Sequence, residues 1–217
     1  MSCPDLARKD LPEFMTWEEL EQLPNEIAAH IELWDGRVVW LRRGPAEHQA
    51  FTFAATSALK RCAREARGTD PERRYRVDLE TNVFFGTTGK SDFVTPDFIA
   101  YHCLDRPYQD IRADGVVLVG EVLSPSNSDA DMEQKKARYA KAGIPWYWEI
   151  GLHQHRSEIA FVHVYGLASD TAPLPAGVSP LHKANYVLAG TWSPTDSTEI
   201  TIDFPFPITI PWSELAF

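Results

Sequence analysis

Two carboxylates in this chain stand where a carboxylate is costly. The segment Thr95-Pro96-Asp97-Phe98-Ile99-Ala100-Tyr101 opens an otherwise apolar strand with an acid. Alternation along a strand puts Asp97, Ile99 and Tyr101 on one face, and Phe98 and Ala100 on the other. Further on, Glu121 interrupts the nearly continuous apolar run Val116 to Leu123, a texture typical of a central strand. Burying a carboxylate without a partner is strongly disfavoured. If the two strands are neighbours, Asp97 and Glu121 bring together two hard oxygen donors, which suit Mg²⁺ or Mn²⁺ and a phosphate-bearing substrate. The alternative is that Asp97 caps a turn and Glu121 pairs with an arginine. Spacing alone does not separate the two.

A cation is available on the next helix. Lys135, Tyr139 and Ala142 fall at i, i+4 and i+7, which is one helical face. If that face packs over the strand end, the Lys135 ammonium reaches the carboxylates. Its competitor is a surface ion pair with Asp131, contributing about 0.3–0.5 kcal/mol. Lys136, Arg138 and Lys141 read as a solvated face able to touch backbone phosphates. Glu32 on an early hairpin and His48 at the opening of a helix are secondary candidates. An exposed strand residue and a capping histidine are their bland counterparts.

The elements that must position these residues are legible in outline. Thr16 and Glu19 have capping-box spacing, and Met15 and Leu20 that of a hydrophobic staple, so a helix opens there. Asp35-Gly36 lies between two short apolar runs within 30–41 and predicts a two-residue hairpin. Pro45 suits the first turn of a helix running to about Ala66. Strands follow over 75–85, 93–102 and 116–123, with Gly86 to Ser91 as a hairpin loop. Ser126 to Asp129 offer N-caps for a helix to about Ala142, and Gly143 stops it. Further strands are expected over 144–150, 158–165, 198–203 and 207–210. This order gives an α/β fold, a mixed sheet flanked by helices, with a C-terminal β extension over 166–217. A single domain over 1–217 is expected, with 1–14 a flexible N-terminus.

Composition narrows the function classes. Hydrophobic residues at 44% and aromatics at 12% supply a core and exclude disorder. No apolar run approaches the roughly 18–20 residues that span a bilayer. The segment Met1 to Asp10 carries no signal-peptide core, so a cytoplasmic protein without a membrane partner is expected. Cys3, Cys62 and Cys103 exclude a disulfide framework and a cysteine-rich zinc site. Ser124 and Ser126 lack the G-x-S-x-G elbow of serine hydrolases. The net charge of −10 argues against a broad basic DNA-binding face. An enzyme whose cations offset its own carboxylates tolerates that balance better.

Pro96-Asp97, Glu121-Val122-Leu123-Ser124-Pro125-Ser126, Asp131, Lys135, Tyr139, Gly143-Ile144 and Tyr147-Trp148 follow one another in a register that resembles the Uma-two family of restriction endonuclease-like proteins. That family belongs to the PD-(D/E)XK nuclease superfamily. The Met15 to Glu19 start, the Glu32 to Gly36 hairpin, His48 and the Phe204 to Ile210 segment also fit, so the likeness spans nearly the whole chain. The resemblance implies a restriction endonuclease-like core and metal-dependent hydrolysis of phosphodiester bonds in DNA. It implies Asp97, Glu121 and Lys135 as the catalytic trio. Mg²⁺ or Mn²⁺ would be held by Asp97, Glu121 and the main-chain carbonyl of Val122. Dimerisation follows only by analogy with enzymes that cut both strands.

The chain departs from the superfamily pattern in an instructive way. The lysine usually stands two residues after the second acid, where this chain has Leu123, so the role passes to Lys135. Gly120, Trp146 and Gly151 also differ from the family's usual residues. Two other classes stay open: a catalytically silent binding or regulatory protein on the same fold, and an enzyme that turns the metal site to a non-nucleic-acid substrate. A closed, aromatic-lined pocket over Asp97 would favour a small molecule. An open cleft about as wide as a B-DNA groove (~12 Å) would favour the nuclease.

Overall fold

The predicted capping box forms: Glu19 N donates to Thr16 Oγ1 at 3.2 Å, and Thr16 N donates to Glu19 Oε2 at 2.8 Å. It opens α1 (Trp17–Leu20), and an unanticipated turn α2 (Asn25–Ala28) follows Pro24. A computed structural model of the chain describes residues 11–41, 44–69, 74–123, 129–153, 156–168 and 185–216. β1 (Ile31–Trp34) and β2 (Arg37–Trp40) form the expected hairpin. Asp35 and Gly36 turn at φ 51° and 83°, the left-handed pair that a tight two-residue turn requires. The long helix α3 (Ala46–Thr69) comes next.

Two predicted strands are each broken in two. The 75–85 stretch splits into β3 (Tyr75–Leu79) and β4 (Val83–Phe84) around Glu80, whose φ is 43°. The 93–102 stretch splits into β5 (Phe93–Val94) and β6 (Phe98–His102) around Pro96, which has no N–H to donate to a ladder. The breaks are crossings between sheets. β4 and β5 pair with each other in a small sheet, whereas β3 and β6 pair in the main one. Asp97 sits on the second crossing.

β7 (Ile111–Arg112), β8 (Val116–Leu123), α4 (Asp129–Lys141), β9 (Trp146–Leu152) and β10 (Ile159–Leu167) continue the chain. β11 (Tyr186–Trp192), β12 (Glu199–Ile202) and β13 (Ile208–Pro211) complete it. The small sheet has the order β2-β1-β5-β4-β7, and the main sheet β11-β10-β9-β8-β6-β3. β8 is central, antiparallel to β6 and parallel to β9. The sheet is therefore mixed, as expected.

α3 covers one face of the main sheet, with Phe51, Leu59, Phe98, Leu118, Val122 and Trp148 in one cluster. α4 covers the other, where Tyr139 packs with Ile99, Val119 and Tyr147. Alternation along β8 puts Leu118 and Val122 toward α3, and Val119 and Glu121 toward α4. Gly120 has a packing reason. A Cβ there would lie 1.9 Å from the Phe98 ring, so a large neighbour on β6 fills the space a side chain would occupy.

The ends of the chain differ from expectation. Val38 N donates to Glu13 O at 2.9 Å and Phe14 bridges Arg37, so residues 11–14 are tied to β2 rather than loose. Residues 1–10 lie outside the described residues, as do residues 124–128, with most of the expected 126–129 N-cap run, and residues 169–184 of the Pro-rich stretch. Within the C-terminal extension, β11 was not anticipated; it pairs with β10 and forms an edge of the main sheet. The β12–β13 hairpin is separate, and Ile200, Ile208 and Ile210 join the cluster under α3. Among the described residues no helix is long and apolar enough to cross a membrane.

Candidate active site

The β6–β8 ladder brings the two acids together. Phe98 is opposite Gly120, so Asp97 and Glu121 face each other one step beyond that pair. Asp97 Oδ2 accepts the Val122 main-chain N–H at 2.6 Å and contacts His48 Nε2 at 3.1 Å. The β8 backbone and the first turn of α3 thus fix its carboxylate from two sides. His48 Nδ1 is buried and has no hydrogen-bond partner among the described residues.

α4 brings its Lys135–Tyr139 face to Glu121. Lys135 Nζ donates to Glu121 Oε1 at 3.0 Å and Tyr139 OH donates to the same oxygen at 2.5 Å. Lys135 is nearly buried, and it also lies 3.4 Å from Glu32 Oε1. A surface pair with Asp131 is therefore not what places it. Asp131 is exposed and lines the same cavity from one turn earlier.

Glu32 is the residue that the sequence undervalues. It is completely buried, not an exposed strand residue. Its Oε1 accepts the Thr95 N–H at 2.7 Å and its Oε2 accepts Trp34 Nε1–H at 2.8 Å. It therefore ties β1 to the crossing that carries Asp97 and presents a third carboxylate to Lys135.

The charges are unbalanced. Among the described residues, Glu32, Asp97 and Glu121 face one full cation, Lys135. Glu121 is pushed up to about 7, chiefly by burial and further by Asp97 and Glu32, while Lys135 and Tyr139 pull it back. Burial alone would lower the Lys135 ammonium, but Glu121, Glu32 and Asp97 override it and raise the group above its ordinary range. Lys135 stays charged and Glu121 is the partner that yields. For His48, burial opposes the charge, and the hydrogen bond and charge of Asp97 prevail to raise it.

These groups line a cavity of about 1510 Å³ between the hairpin, α1 and α2 on one side and the ends of α3, β8 and α4 on the other. Val122 also lines it. Among the described residues no three His, Cys, Asp or Glu side chains gather as a ready-made ligand cluster. Two carboxylates with surplus negative charge instead fit a Mg²⁺-like ion, which takes one or two carboxylates and completes its shell with water and phosphate.

Arg138 and Lys136 correct the solvated-face expectation, whereas Lys141 is exposed as expected. Arg138 pairs with Asp92 and, at 3.0 Å, with Asp35, and lies over the rings of Trp34 and Phe85. Lys136 pairs with Glu133 at 2.9 Å and Glu149 at 3.2 Å, and sits over Tyr147 and Tyr165. Both hold α4 in place. Glu149 was not singled out, yet it signals itself as Glu121 does, as an acid within an apolar strand.

Comparison with known proteins fits this geometry. The family model for Uma2, described as "Putative restriction endonuclease", matches residues 17–173. The chain belongs to the Uma2 family. The Uma2 chain is also similar to a crystal structure described as a "putative nuclease belonging to DUF820" from Anabaena variabilis ATCC 29413. The TM-score is 0.57 at 18% identity, over 93% of this chain and 97% of that one. That likeness speaks for the fold, which is restriction endonuclease-like. No curated protein matches this Uma2 chain.

Proposed function

We propose that the protein is a Mg²⁺- or Mn²⁺-dependent endonuclease that hydrolyses phosphodiester bonds in DNA. The observation that carries this reading is the meeting of Asp97, Glu121 and Lys135 on the wall of an open cavity, in a chain of a restriction endonuclease family.

Asp97 and Glu121 would hold the metal, with the carbonyl of Val122 as a further oxygen donor. When bound there, a divalent ion polarises the phosphate and lowers the pKa of water. The residues supply the rest. Val122 N–H and His48 fix the Asp97 carboxylate, so little reorganisation is needed on binding. Tyr139 holds Glu121 Oε1 from α4. The Lys135 ammonium offsets charge that builds on the phosphate oxygens, and orients the attacking water. Glu32 keeps Lys135 charged and in place.

The test is direct. With Mn²⁺ or Mg²⁺ the wild type is expected to nick supercoiled DNA, and Asp97→Ala or Glu121→Ala to abolish nicking while the fold is kept. A folded wild type that is inert across metals and DNA forms would end the reading. A second reading, a non-nucleic-acid substrate, is favoured by the three tryptophans, Trp17, Trp34 and Trp40, that line the same cavity.

A further inference from the structure

The described lining of the cavity is poorly suited to the backbone of a duplex. It carries the carboxylates of Glu21, Glu32, Glu80, Asp97, Glu121 and Asp131. Against these stand two full cations among the described lining residues, Arg37 and Lys135. Double-stranded DNA brings one negative charge per about 1.7 Å of axis, and proteins that grip it do so with clustered lysine and arginine. Among the described lining residues, one bound divalent ion leaves an acidic balance. At about 1510 Å³ the cavity also exceeds the roughly 300–1,000 Å³ common for small-molecule sites. It has room for a stretch of polymer.

Its apolar half offers a different kind of contact. Of the three tryptophans, Trp17 is packed edge-on against Phe84 and Phe93 with the Lys90 ammonium over its ring. Trp34 donates to Glu32 and carries the Arg138 guanidinium. Trp40 is half-buried at the end of β2, resting on the cluster beneath α1 and α2. Among the described residues its ring has no aromatic, cation or hydrogen-bond partner. β2 is the end strand of the small sheet, and residues 13–14 contact it at Arg37 and Val38.

We propose that the cavity takes a single unpaired DNA strand, with a base stacked on Trp40, in preference to intact duplex. The proposal rests on the nuclease reading and names its substrate class. A single strand has a lower line charge than a duplex, and it exposes base faces that stack on aromatic side chains with little regard to sequence. The acidic wall then acts against duplex, and the indole acts for the strand.

The test uses the whole 217-residue chain, calcium as the divalent ion for binding and manganese for cleavage. The probes are a short oligothymidylate and the same strand annealed to its oligoadenylate complement. The single strand is expected to bind at least about tenfold tighter than the duplex, and to be cut preferentially. Trp40→Ala is expected to weaken strand binding about tenfold, which is about 1.4 kcal/mol, while Trp40→Phe keeps most of it. Should Trp40→Ala fail to fold, Glu21→Lys on the exposed rim carries the test, with an expected several-fold gain in duplex binding. Equal or better binding of duplex, or equal losses on both probes in Trp40→Ala, would overturn the proposal and leave the nuclease reading intact. A strand bound at Trp40 but never cut would uphold the strand site and remove the nuclease. If the wild type neither binds nor cuts either probe, both fall.

Discussion

Lys135 and Lys136 are adjacent on α4, and each reaches a glutamate on a central strand of the same sheet. Lys135 meets Glu121 on β8 and Lys136 meets Glu149 on β9, and those two glutamates are partners in the parallel ladder. Burial does not distinguish the pairs, since the lysine side chains are 12% and 15% exposed. Their surroundings do. Lys135 serves Glu121 and Glu32 with Asp97 close by, on the wall of a cavity. Lys136 is flanked by Glu133 and by the rings of Tyr147 and Tyr165, and it is not among the residues that line that cavity. A buried ion pair on its own is weak evidence for chemistry. Surplus charge together with access turns one of these pairs into a candidate centre and leaves the other as a structural tie.

The sharpest way to break that contrast is to remove each lysine in turn. Lys135→Met is expected to lower DNA cleavage by about 10²–10³-fold, the usual cost of losing one preorganised charge-stabilising group. Plasmid nicking at saturating metal measures it. A Lys135→Met enzyme as fast as wild type would move the chemistry elsewhere.

A medium effect separates the two glutamates by pH. Glu121 has a folded-state value of about 7, above its ordinary 4.5. Ionising it therefore costs the fold. Stability from this group is fully present below the ordinary value and is lost as pH rises through about 7. A divalent ion needs the ionised form, so binding must expel the proton. Mn²⁺ affinity is expected to rise about tenfold per pH unit below about 7 and level off above it. A flat profile through that range would mean that Glu121 is not a ligand.

The smallest expected effect on activity is that of Lys136→Met. Cleavage is expected to stay within a few-fold of wild type. Stability is expected to fall by about 3 kcal/mol, because a mostly buried Glu149 loses its counter-charge. Adding Glu149→Leu is expected to recover most of that loss in denaturant melts. Cleavage lost in Lys136→Met at full folding would erase the distinction between the two pairs.

Much of this site was legible in the sequence, for physical reasons that can be named. Asp97 and Glu121 stood out because an acid in an apolar strand demands a partner, and the ladder that joins them follows from two neighbouring strands. The four-residue helical spacing put Lys135 and Tyr139 on one face, but it was the family resemblance that assigned Lys135 to the site over a surface pair with Asp131; both reach Glu121. What stayed hidden depended on non-local contacts. Glu32 alternates on its hairpin like any surface residue, and only the crossing at Thr95 reveals the hydrogen bond that buries it. Arg138 read as solvated because its partners Asp35 and Asp92 are both distant in sequence. The breaks at Glu80 and Pro96 hid a second sheet inside two runs that looked continuous, although Pro96 was a visible warning. β11 was masked by turn-rich neighbours, since its local signal is a weak edge-strand pattern.

The central claim is that Asp97 and Glu121, not the matched acid Glu149, form a divalent-ion site beside Lys135. Calorimetric titration of Mn²⁺ into wild type, Asp97→Asn, Glu121→Gln and Glu149→Gln tests it most directly. The account expects uptake with proton release in wild type and in Glu149→Gln, and none in the other two. Undiminished uptake in Asp97→Asn and Glu121→Gln would contradict it.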